Sequence, residues 1–105
     1  MVEVGSVQES KPAGAQISVE TKQLVNAIFA RFMAIYGHKF KSTFESEDEI
    51  RIAKREWALS VAAYSESELV QAVTYCKENF AWAPSISEFL DVLRKFTSEL
   101  GVPAV

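Results

Sequence analysis

The sequence predicts an all-α fold, a compact bundle of about four helices behind a disordered N-terminal arm. Three observations predict it. Apolar residues recur at three- and four-residue steps through most of the chain after residue 18. A Ser followed three residues later by a Glu stands ahead of three of those apolar series, as Ser46/Glu49, Ser65/Glu68 and Ser85/Glu88. In such a capping box the Ser oxygen accepts from a free first-turn N–H, and the Glu reaches back to the Ser N–H. No segment shows the alternation of a half-buried strand. Periodicity and capping are independent local signals, and they agree.

Residues 1–17 mix Gly, Ser, Pro, Gln and small apolar residues without a period, and are expected to be a flexible arm. The helical domain is placed at 18–100, with a tail at 101–105 after Gly101 and Pro103. The first helix spans Val19 to Tyr36, with Leu24, Val25, Ile28, Phe29, Phe32, Ile35 and Tyr36 forming one broad apolar face. Gly37 follows, where a left-handed residue ends helices. His38 to Phe44 reads as an ordered loop pinned by Phe40 and Phe44, because Ser42 and Thr43 interrupt any helical series.

The second helix starts at Ser46. Ile50, Ala53, Trp57, Val61 and Tyr64 share one face, and Ile52, Leu59 and Ala63 lie nearly opposite. A helix apolar on two sides is expected to be central, touched by several neighbours. Arg51, Arg55, Ala58 and Ala62 line a flank between the two faces. The third helix carries Leu69, Ala72, Val73, Cys76 and Phe80 inward. The fourth carries Ile86, Phe89, Leu93, Phe96 and Leu100. Between them, Phe80-Ala-Trp-Ala-Pro-Ser85 is a corner: Pro84 stops one helix and Ser85 opens the next.

Composition bounds the function. A chain of 105 residues is one domain, and seven Phe, three Tyr and two Trp supply a core without disulfide or metal. The net charge of −3 gives the chain as a whole no attraction to nucleic acid. No apolar run approaches the roughly 20 residues of a membrane span, and no signal-peptide pattern opens the chain, so a cytoplasmic protein is expected. The lone Cys76 sits in an apolar series and reads as a buried, inert thiol.

Enzyme motifs are absent. Four scattered Gly form no phosphate loop, and one His with one Cys makes no metal spacing, so no cofactor, metal or catalysis is expected. Glu45, Glu47, Asp48 and Glu49 read first as compensation of a helix dipole. Arg31, Lys39, Lys41, Arg51, Lys54 and Arg55 gather in the middle third with Phe40 and Phe44 among them. Cations and rings together suit single-stranded DNA, where phosphates take charge and bases stack. A solvated helix face over buried rings is the competing reading. Trp82 is either a core residue beneath the corner or an exposed contact of the type enriched at protein interfaces.

Phe29-Ala-Arg-Phe-Met-Ala-Ile-Tyr-Gly-His-Lys-Phe40, Trp57, and Trp82-Ala-Pro-Ser-Ile-Ser-Glu-Phe89 together resemble small phage proteins related to the lambda-type replication protein P. The likeness covers about residues 24–93. It implies a non-catalytic adaptor of a phage replication module, acting as loader or inhibitor on a bacterial replicative helicase in the host cytoplasm. Trp82, Phe40, Phe44 and His38 are the candidate partner contacts. The alternatives are a small single-stranded DNA-binding domain using the basic residues, and a host-takeover protein that blocks a bacterial enzyme by occlusion.

Overall fold

The computed structural model of the protein describes residues 17–100, which form five helices: α1 (Val19–Tyr36), α2 (His38–Lys41), α3 (Glu47–Val61), α4 (Glu66–Asn79) and α5 (Ile86–Leu100). The fold is all-α, as expected. Apart from Ile17, which packs against the core, the expected arm lies outside the described residues, as does the tail at 101–105.

Serines open four of these helices. Ser18, Ser46, Ser65 and Ser85 each accept, through the side-chain oxygen, the N–H three residues on, at 3.0, 3.2, 3.2 and 3.1 Å. Each bond satisfies one of the donors that a helix start leaves without a partner. At Ser65 and Ser85 the box closes, with Glu68 and Glu88 accepting the serine N–H at 2.8 Å each. At Ser46 it does not. Glu49 reaches one residue further and accepts from the Glu45 N–H at 2.9 Å.

The expected loop at 38–44 begins as a helical turn. Gly37 adopts φ 62° and ψ −135°, and its N–H donates to Met33 O at 2.9 Å, closing α1. Its φ is positive, as expected, but ψ lies far from the left-handed helical value and swings the chain directly into α2. The Gly37 carbonyl accepts from both Phe40 and Lys41. The Ser42 and Thr43 hydroxyls then take the carbonyls of Lys39 and Phe40 and end the turn. The polar pair breaks the helix as its composition suggested, only after one turn has formed.

That turn delivers Phe40 into the core. Phe32, fully buried on α1, meets Phe40 at 5.6 Å between ring centroids, Trp57 at 5.8 Å and Phe89 at 6.1 Å. All three contacts are edge-to-face, the arrangement that puts a positive ring edge against a negative face. Phe29, one turn earlier, adds Phe40 at 5.4 Å, Phe44 at 6.1 Å and Trp57 at 6.0 Å. One aromatic assembly thus joins α1, α2, α3 and α5. Around it the core is small and aliphatic side chains with the Cys76 thiol: Val25 and Ile28 of α1, Ala58 and Val61 of α3, Leu69, Ala72, Val73 and Cys76 of α4, and Val92 and Leu93 of α5 are buried.

The central helix is α1, not α3. It packs against α2, α3 and α4, whereas α3 packs chiefly on α1 and α5. The second apolar face expected to bury Ile52, Leu59 and Ala63 is largely uncovered. Ile52 is 61% exposed, Ala63 is exposed and Leu59 is half-buried. Trp57, Ala58 and Val61 already turn toward α1 and α5, and no further helix among the described residues lies on the other side of α3.

Two substitutions test this account. Phe32→Ala removes the ring shared by four helices and should cost about 3–5 kcal/mol in a urea titration. Gly37→Ala meets no atom within 4 Å, so any loss reports backbone strain alone. It should destabilise by roughly 1–3 kcal/mol, and an unchanged midpoint would show that this φ imposes no constraint.

Candidate interaction surfaces

The Phe80–Ser85 corner is fixed at both ends. The Phe80 N–H donates to Cys76 O at 2.8 Å, and the Asn79 side chain caps Tyr75 O at 2.9 Å. Phe80 then turns extended, with φ −116° and ψ 133°, and lays its half-buried ring edge-on against Tyr75 at 6.2 Å. Pro84 is buried, and Ser85 and Glu88 lock the entry to α5. Of the two sequence readings of Trp82, the core one fails. Phe80 and Pro84 occupy the inward positions, and the indole between them is 66% exposed. Depressions of about 220 and 240 Å³ adjoin here and share Phe80 and Glu88; Trp82 lines the smaller.

The other candidate contacts fall differently. Phe40 is buried and Phe44 half-buried, their rings 5.3 Å apart, so Phe40 belongs to the core and offers no face to a partner or base. His38 is exposed at the start of α2.

The basic residues do not form one patch. Lys39 and Lys41 are exposed on α2. Arg31 is nine residues from Lys22 on α1, which at about 100° per residue places the two on opposite flanks. Arg51, Lys54 and Arg55 do come together. With Lys22 of α1 they surround a groove of about 460 Å³ between α1 and α3. Its apolar lining is Ile17, Val25, Ile52 and Ala58. The Lys54 ammonium stands 5.6 Å from the Phe29 ring centroid, and Arg51 pairs with Asp48 at 2.9 Å on the open surface, a contact of little energetic weight. Sequence reading identified three of these cations but missed Lys22. The available signal was its place four residues before Asn26, beside the apolar stripe of α1.

Cys76 is fully buried, and burial, with a smaller contribution from the negative charge of Glu88, pushes its thiol up to about 12. Tyr36, whose hydroxyl donates to Cys76 O at 2.9 Å, is also raised, by burial first and by Cys76 second. Among the described residues no group of three or more His, Cys, Asp or Glu could hold a metal ion, and no helix is long and apolar enough to cross a membrane.

No protein-family model matches the chain, and neither a curated protein nor a solved structure matches it.

Cys76 is closed off from solvent, and the same burial raises its pKa and disfavours the reactive thiolate. Ellman's reagent should therefore label native Cys76 only as fast as the chain unfolds. Rapid labelling of the folded protein would contradict its burial.

Proposed function

We propose that this chain is a non-catalytic adaptor of a phage replication module that docks on a bacterial replicative helicase through the Trp82 corner. The observation that carries the docking surface is the exposed indole on a segment pinned from both sides. An exposed ring normally loses hydration and rotamer freedom on binding; here the backbone beneath it is already ordered, which lowers the cost of using it as an anchor. The likeness of residues 29–40, Trp57 and 82–89 to phage replication proteins supplies the partner class.

The division of labour among those residues supports the reading. Phe29, Phe32, Phe40, Trp57 and Phe89 are buried against one another, so packing of the core accounts for these members of the likeness. Trp82 lies in the same likeness but is exposed, so core packing does not explain it. The single-stranded DNA alternative has less support, because the rings interleaved with the basic residues are buried or half-buried and cannot serve as stacking platforms.

The test is size-exclusion with light scattering on mixtures with the host's replicative helicase. A single co-eluting complex is expected. Trp82→Ala should leave the melting temperature nearly unchanged and weaken the complex by at least about 30-fold, the effect of a hot-spot residue. Two separate species from the unaltered proteins would sink the proposal.

A further inference from the structure

We infer that the α1/α3 groove is a second docking site, and that its occupant is an acidic amphipathic helix of a partner protein. The groove shares no lining residue with the Trp82 corner and does not depend on the helicase reading.

The shape argues for a helix. Ile52, 61% exposed on α3, lines the groove as its accessible apolar side chain, above a floor formed by the buried Val25 and Ala58. Two packed helices with a shallow groove along their junction, floored by apolar groups and rimmed by polar ones, present the surface that a third, amphipathic helix covers, with side chains spaced i, i+3, i+4 and i+7 as anchors. A volume of about 460 Å³ accommodates several such side chains.

The charge argues for an acidic one. The chain carries −3 overall, yet Lys22, Arg51, Lys54 and Arg55 all border this trough. Arg51 has Asp48 beside it in an exposed, weak pair, and the Lys54 ammonium stands over the Phe29 ring. Lys22 and Arg55 have no carboxylate partner among the described residues. Carboxylates flanking the partner's apolar stripe would meet these cations, giving attraction at a distance and fixing the side from which the helix enters. The carboxylates of Glu47, Asp48 and Glu49 crowd the N-terminal turn of α3, so the partner's acidic residues belong toward Arg55 and away from that turn. Nucleic acid fits less well, because no ring stands among the lining residues on which a base could stack.

The experiment titrates the full chain into a fluorescein-labelled peptide of about 16 residues with Leu at helical anchor spacing and Glu elsewhere. Parallel arms use a scrambled peptide of the same composition, a version with Lys for every Glu, and an oligothymidylate. The acidic amphipathic peptide is expected to bind, more weakly as salt is raised. Ile52→Asp and Arg55→Glu should each weaken it by at least about tenfold with the circular dichroism spectrum retained, and Trp82→Ala should not change it. Because both altered side chains are exposed, loss of fold is not the expected cause, and Lys22→Glu on the opposite wall supplies an independent variant. Absence of binding, equal binding of the scrambled or basic peptide, or binding of the oligothymidylate that depends on Ile52 and Arg55 would each overturn the inference.

Discussion

The fold depends on the burial of one ring. Phe32 is enclosed by Phe40, Trp57 and Phe89, each from a different helix, and by Tyr36 of its own helix at 5.8 Å. Aromatic contacts with edge-to-face geometry are directional as well as apolar, so the ring fixes angles between helices as well as holding them together. That constraint explains why a four-residue helix persists: α2 is too short to be stable alone, and Phe40 is held by the rings it inserts among. It also explains the choice of Gly at position 37, since only an abrupt reversal after α1 brings Phe40 back onto Phe32 and Phe29.

Much of this was legible beforehand because capping and periodicity are local. The extent expected for α1, from about Val19 to Tyr36, is the extent observed, and the Ser65/Glu68 and Ser85/Glu88 boxes form as their spacing implies. The misses involve non-local contacts. Phe40 and Phe44 look alike in the sequence; the first became core and the second half-buried through the angle at Gly37, which composition does not encode. Ile52 reads as a buried residue by type and by helical phase. Whether another helix arrives to cover it is a property of the whole packing arrangement, and none among the described residues does.

The interaction surfaces follow the same division. Trp82 could be read either way from the sequence because it falls between two helical series; the positions of Phe80 and Pro84 decide it. The basic residues were visible as a group along the chain, but a helix distributes neighbours in sequence around its axis. Arg51, Lys54 and Arg55 stay together through three- and four-residue spacing, whereas Arg31 is carried to the far flank of α1. Lys22 joins the trough from a distant part of the sequence, as only tertiary packing can arrange.

The Cys76 carbonyl has a consequence for how the molecule transmits force. It accepts the Phe80 N–H that closes α4 and, on its other side, the Tyr36 hydroxyl from the end of α1. One oxygen therefore ties the indole-bearing corner to the helix that carries the aromatic centre. Local opening of the corner cannot proceed far without straining the Tyr36 bond, and loosening the end of α1 removes support from the last turn of α4. The two belong to one cooperative unit. Strain on the corner would therefore reach the end of α1 through this shared, part-buried oxygen, beside the Phe80–Tyr75 contact and the buried Pro84 that also anchor the segment.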